Sequence, residues 1–216
     1  MTEHRIAQLE RVAGSRTRHV AIALEDIQND HNSAAIIRNC DCYGIQDLHV
    51  MDYQKTPKVA HAIAKGAENW VDVTYHTGTE NNVLSAVSHL KSKGYRIVAT
   101  SPHQGGYSPE TLPLEQPIAL FFGNEREGIS NEVVRLADDF LELPMYGFTE
   151  SFNVSVSVAL SLHTLRQRLQ DSEIPFLLSD EDRYDLLFRW AHYSVQGAER
   201  ILSIFEKDPE RYAHLF

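Results

Sequence analysis

From residue 19 onward the chain alternates short apolar runs with amphipathic stretches. "HVAIALEDI", "DLHVMD", "VDVTYH", "YRIVATS", "PIALFFG" and "DFLELPM" are nearly continuous in apolar and β-branched residues, the pattern of strands buried on both faces. Between them, "SAAIIRNCDCYG", "KVAHAIAKGAENW", "NNVLSAVSHLKSKG", "SNEVVRLA" and "NVSVSVALSLHTLRQRLQ" place apolar residues at helical spacing. Short strands alternating with helices read as βαβ units, so the pattern predicts an α/β fold with a parallel sheet covered on both sides.

The two ends break this alternation. Residues 3–13 predict a short helix with Ile6, Leu9 and Val12 at helical intervals. Residues 180–206 predict a long amphipathic helix whose stripe runs through Tyr184, Leu187, Phe188, Ala191, Val195, Ala198, Ile201, Leu202 and Phe205, suited to a core or a dimer interface. Ser172 to Pro175 reads as the linker into it. The expected organisation is a helical arm over 1–18, one α/β domain over 19–171 and a helical extension over 172–216.

Composition narrows the class. With 216 residues, 43% hydrophobic and 23% charged, the chain fits a soluble globular protein able to bury a sizeable core. No stretch approaches the roughly 20 apolar residues that span a bilayer, and "MTEHRIAQLERVAGSRTRH" lacks the apolar centre of a secretion signal, so no membrane association and a cytoplasmic location are expected. Cys40 and Cys42, two apart on an expected helix, suggest neither a disulfide framework nor a metal cluster.

The net charge of -10 argues against a general nucleic-acid binder. A basic excess exists only at the N-terminus, where Arg5, Arg11, Arg16 and Arg18 could form a phosphate-binding patch or simply a solvated helix face.

Three segments carry more polar chemistry than packing requires. In "HNSAAIIRNCDCYGI", Asn32 is placed to cap a helix and Arg38 puts one guanidinium in an otherwise apolar stretch, either as a surface residue or as a cation for a phosphate or a developing oxyanion. In "IALFFGNEREGIS", Gly123 and Gly128 follow a buried strand in the manner of a phosphate loop. Ile129 stands where such a loop needs Lys, and Glu125 and Glu127 would repel polyphosphate, so a nucleoside triphosphatase is disfavoured and a neutral or cationic ligand is expected at that strand end. In "LPMYGFTESFNVSVSVALSL", Ser151 or Asn153 can cap the next helix, leaving the other polar group spare. Ser151 lies in no nucleophile elbow, which weakens a hydrolase reading, and "ALEDIQNDHNS" has none of the glycines of a class I methyltransferase turn.

Together "NSAAIIRN", "LFFGNEREGIS" and "LPMYGFTESFNVSVSVAL", in this order, closely resemble the three motifs of the SpoU/TrmH family of the SPOUT superfamily, over roughly residues 18 to 170. That resemblance implies RNA ribose 2'-O-methylation with S-adenosyl-L-methionine, a trefoil knot near the C-terminal end of the domain and a homodimer. It implies Arg38 as the catalytic arginine, Asn32 shaping the site, Glu125 orienting the arginine or its loop, and Ser151 and Asn153 facing the reaction. The cofactor would be held by Thr100, Gly123, Leu143, Met145 and Phe152. A D-loop guanosine of tRNA is the expected target, ribosomal RNA the competitor, and a non-catalytic cofactor- or RNA-binding member the remaining alternative. The acidic total charge leaves RNA contact to the N-terminal arginines with Lys55, Lys58 and Lys65.

Overall fold

A computed structural model describes residues 2–51, 66–77 and 81–194. Lys55, Lys58, Lys65, most of the helix expected in "KVAHAIAKGAENW" and residues 195–206 of the long C-terminal helix lie outside the described residues.

The described residues form two compact units, Arg16–Leu177 and a smaller one that joins the segment up to Ser15 with the segment from Leu178. The larger unit holds six strands, β1 (Val20–Glu25), β2 (Asp47–Met51), β3 (Asp72–His76), β4 (Arg96–Thr100), β5 (Ile118–Phe122) and β6 (Asp139–Leu141). Its helices are α2 (Asp30–Tyr43), α3 (Asn82–Ser92), α4 (Asn131–Leu136) and α5 (Val154–Gln170), with a short 3-10 turn at Ala67–Asn69. The smaller unit holds α1 (Glu3–Ala13) and α6 (Asp180–Ser194).

All strand pairings are parallel, in the order β3-β2-β1-β5-β4-β6. The register sets Ile22 beside Leu48 on one side and Leu120 on the other. Successive β1 residues face opposite layers, and both layers are dry. Val20, Ile22 and Leu24 join Ile36 and Ile37 of α2 and Val158, Leu162 and Leu165 of α5. Ala21 and Ala23 join Val83, Val87 and Leu90 of α3 and Val133 of α4. Burial on both sides is why β1, β2 and β5, buried throughout, read as unbroken apolar runs rather than alternating ones.

The order reverses at β1 and β5, whose following helices leave to opposite faces, α2 toward the first layer and α4 toward the second. Such a divergence opens a crevice at the carboxyl ends of the two strands.

Two expectations need correcting. The inward face of α6 is Leu186 and Trp190, while Tyr184 and Phe188 of the expected stripe are exposed. The apolar residues of this helix cover more than half its girth, and the bulkiest, Trp190, takes the interior position. The four N-terminal arginines are also not one patch. Arg16 is fully buried, pairing with Asp41 and donating to the Ile45 carbonyl, and Arg18 pairs with Asp47 and Asp72. Their charge is consumed inside the fold.

At the β2–β3 edge three imidazoles meet. His49 Nδ1 and His76 Nε2 lie 3.0 Å apart, and the His89 ring of α3 sits 5.7 Å from each of their centroids. Burial, reinforced by His76 and His89, pushes His49 down to about 3, and burial with His89 lowers His76 as well.

Candidate active site

The cap of α2 is Asn29, not Asn32: its Oδ1 accepts from His31 N at 2.9 Å. In "NDHN" either asparagine is a chemically competent cap, and Asn29 takes the role because the helix starts one residue after it. Asn32 then lies in the first helical turn, buried, with its amide free for another task.

That task joins the three polar segments. Asn32 Nδ2 donates to Glu125 Oε1 at 2.6 Å, and Asn153 Nδ2 donates to Asn32 Oδ1 at 3.0 Å. Asn153 Oδ1 accepts from Ser155 N at 2.9 Å and from Ser155 Oγ at 2.6 Å, capping α5. Each amide has its oxygen and nitrogen assigned by its neighbour, so the carboxylate at one end fixes the orientation of the whole relay. Asn153, as the cap, leaves Ser151 spare; Ser151 is exposed and makes no hydrogen bond among the described residues.

The glycine loop after β5 is held by itself. Asn124 Oδ1 accepts from Arg126 N at 2.9 Å and Glu127 N at 2.8 Å, and Gly128 N donates to Asn124 O at 3.0 Å. Two of the amides that a phosphate cradle would use are therefore satisfied internally. A Cβ on Gly123 would lie 2.0 Å from the Gly128 carbonyl carbon, so the close approach expected of a ligand is made by the chain's own backbone. On the far side of the loop, the buried carboxylate of Glu25 accepts from Ser130 N at 2.8 Å and ties β1 to the start of α4.

A pocket of about 580 Å³ lies at the carboxyl ends of β5, β4 and β6, where Phe122, Thr100 and Leu141 line it. Its apolar lining includes Phe122, Leu141, Leu143, Met145 and Phe152, and its polar lining includes Thr100, Asn124, Glu125, Glu127, Glu150, Ser151 and Asn153. All five expected cofactor residues (Thr100, Gly123, Leu143, Met145 and Phe152) lie on it. Thr100 Oγ1 donates to Phe121 O at 2.8 Å, which fixes its hydroxyl proton away from any ligand. β6 ends at Leu141 rather than running to Pro144, so Leu143 and Met145 reach the pocket from irregular chain.

Of the expected catalytic residues, Glu125, Ser151 and Asn153 line the pocket, while Asn32 and Arg38 do not, and Arg38 stands apart from the relay too. It is exposed on α2, does not line the pocket and forms no ion pair among the described residues. The lining acid Glu150 and the internal brace Asn124 were not singled out by sequence, whereas Glu127 was, as a carboxylate hostile to polyphosphate; the Gly-Asn pair at 123–124 is the signal that marks the brace, since Asn bonds readily to amides two and three residues on.

The pocket suits a ligand with an apolar ring system and a positive centre, because its lining includes apolar side chains together with three carboxylates, Glu125, Glu127 and Glu150, against one permanent cation, Arg126.

The model of the SpoU rRNA Methylase family matches residues 19–163. A tRNA (guanosine(18)-2'-O)-methyltransferase of Borreliella burgdorferi is 33% identical over 201 residues, covering 93% of this chain and 90% of that one. An Escherichia coli K12 protein of the same name is 28% identical, covering 87% of this chain and 82% of that one. Among solved structures, the Aquifex aeolicus TrmH/SpoU tRNA modifying enzyme superposes with a TM-score of 0.77 at 29% identity, over 90% of this chain and 98% of that one.

Proposed function

The chain belongs to the SpoU methylase family, and on that premise we propose that it methylates the ribose 2'-hydroxyl of tRNA with S-adenosyl-L-methionine, the target being a D-loop guanosine. The observation that carries this reading is the relay Glu125–Asn32–Asn153, which joins three distant segments by hydrogen bonds and has two of its members, Glu125 and Asn153, on the lining of one pocket. The relatives named for tRNA span nearly the whole chain, which favours tRNA over ribosomal RNA.

When bound, S-adenosyl-L-methionine supplies an electrophilic methyl group on a positively charged sulfur. Phe122, Leu141, Leu143 and Met145 would enclose its adenosine and exclude water, while Glu125, Glu127 and Glu150 provide a negative field suited to the sulfonium and hostile to polyphosphate. Ser151 and Asn153, on the lip of the pocket, orient the incoming ribose.

Arg38 binds the adjoining RNA phosphate through its fork and stabilises the alkoxide that develops as the 2'-hydroxyl loses its proton. Arginine retains its proton at neutral pH, so it acts as a fixed cation, and the proton leaves toward the phosphate or water. The presence of Arg38, Glu125, Ser151 and Asn153 together speaks against a non-catalytic member.

The reading includes a homodimer through the exposed Val156 and Leu160 on α5. It also includes a trefoil knot. β6 lies at the sheet edge beside β4, yet α5 packs against α2, so the intervening chain must cross the pocket to the other half of the sheet. No described helix is long and apolar enough to cross a membrane, and a cytoplasmic location accords with a tRNA substrate.

The test is transfer of labelled methyl to separated tRNA and ribosomal RNA by the wild-type protein and Arg38→Ala, followed by nucleoside analysis. Label in tRNA as 2'-O-methylguanosine, lost in the variant, is the expected outcome. Label in ribosomal RNA alone would change the substrate, and label in neither would overturn the reading.

A further inference from the structure

The first turn of α5 is tethered to α2 at two points, and only one of them belongs to the polar relay. The second is Asn39, whose Nδ2 donates to the Ser155 carbonyl at 2.9 Å. Asn39 lies seven residues after Asn32, which at 3.6 residues per turn returns it to the same side of α2, about 10 Å farther along the axis. Asn32 holds the capping residue Asn153, and Asn39 holds the residue two positions later. The two amides therefore bracket one turn of α5 from two levels of α2.

The Asn39 bond is not needed to satisfy the backbone. Ser155 is the second residue of α5, and a carbonyl in the first turn already has its helical partner four residues on; unsatisfied carbonyls occur at the other end of a helix. The extra donor thus has a geometric consequence. One bond between two helices leaves a pivot, whereas two bonds separated by two turns fix the rotation and slide of α2 against the start of α5. Arg38 is the residue next to Asn39, on the exposed flank of the same turn. Any error in the setting of α2 shifts the root of the Arg38 side chain relative to Ser151 and Asn153.

We infer that Asn39 is a positioning residue for methyl transfer, which holds α2 so that Arg38 addresses the ribose and phosphate presented at Ser151 and Asn153. It does not line the pocket, so it has no part in holding the methyl donor. The inference rests on the function proposed above.

The experiment measures steady-state tRNA methylation, S-adenosyl-L-methionine affinity and thermal melting for wild type, Asn39→Ala and Asn39→Asp, the last keeping the volume but losing the donor. Displacements of about 1 Å in a reacting constellation cost on the order of 10²-fold. Both variants should therefore lose at least tenfold in kcat, with cofactor affinity within twofold of wild type and a melting temperature close to it. A purely structural role would instead lower the melting temperature and the fraction of protein that binds cofactor, leaving kcat per binding-competent molecule unchanged, and that result overturns the inference. In an Arg38→Lys background, Asn39→Ala should cost little further, since its effect acts through Arg38; an undiminished second loss would also overturn it. If wild type transfers no methyl to tRNA, the function reading itself fails and this inference falls with it, whereas an active wild type with an unimpaired Asn39→Ala sinks this inference alone.

Discussion

Asn32 Nδ2 and Glu125 Oε1 lie 2.6 Å apart across 93 residues of chain, and this bond decides which way every amide behind it points. With Glu125 able only to accept when ionised, Asn32 must offer its nitrogen there and its oxygen to Asn153. Asn32→Asp removes that donor and sets two carboxylates face to face. We expect a loss in kcat of about 100-fold, together with weaker cofactor binding as the Glu125 loop shifts. Isothermal titration and single-turnover methylation on the same preparation separate the two effects.

Asn153 and Ser151 stand two residues apart yet should fail differently. Asn153→Ala removes a helix cap and should cost about 1 kcal/mol of stability as well as activity. Ser151→Ala touches no described hydrogen bond, so its unfolding free energy from urea titration should match wild type within about 0.5 kcal/mol while turnover falls. Equal destabilisation in both would remove Ser151 from the reaction.

Gly123→Ala is predicted to be destructive for a backbone reason. The added methyl would lie 2.0 Å from the Gly128 carbonyl, and no side-chain rotation relieves a clash with main chain. A loss on the order of 3 kcal/mol is expected, with cofactor protection in thermal melting abolished.

Arg16 and Arg11 provide a contrast in the N-terminal region. Arg16 is fully buried and donates to the Ile45 carbonyl as well as pairing with the part-exposed Asp41, so Arg16→Ala empties a packed interior site and should destabilise by about 2 kcal/mol. Exposed Arg11→Ala should leave melting unchanged and reduce tRNA affinity, with a shallower dependence on salt, as expected for a lost phosphate contact. Filter binding at two salt concentrations checks it.

The imidazole cluster sets a pH response. His49 and His76 titrate lower in the fold than in the unfolded chain, so the unfolded state takes up protons that the folded state refuses. Their stabilising effect is complete above about pH 6.5 and fades as the pH falls toward 3; His49 alone accounts for about 1.4 kcal/mol per pH unit within that window. Urea midpoints at pH 7.5, 6 and 5 should fall more steeply in wild type than in His49→Asn. Parallel slopes would show that the cluster is not responsible.

The central strands β1, β2 and β5 were legible because burial on both faces gives unbroken apolar runs, and the part-buried edge strands β3 and β6 were legible from their β-branched and aromatic residues, so all six runs in the sequence are strands. Residues of the three motifs were legible as polar groups in excess of packing needs, and the pocket gathers Glu125, Ser151 and Asn153 from two of them. The cap of α2 was not legible, because Asn29 and Asn32 are equally good acceptors and only the helix start distinguishes them. Nor was the fate of Arg16 and Arg18: a local sequence reads them as a basic cluster, while their partners Asp41, Asp47 and Asp72 come from other elements. The exposure of Arg38 is likewise set by the rotation of α2, and the partners that Asn32 and Asn39 find across the fold, Asn153 and Ser155, come from another segment that the motif's own spacing does not reveal.

The Asn32–Asn153 bond spans 121 residues. During synthesis the early strands can begin to pair while the residue that completes the rim is still unmade, and contacts of such separation form late and slowly. A nascent chain therefore has no finished cleft to fill, and competence for chemistry arrives only once the last third of the domain has left the ribosome.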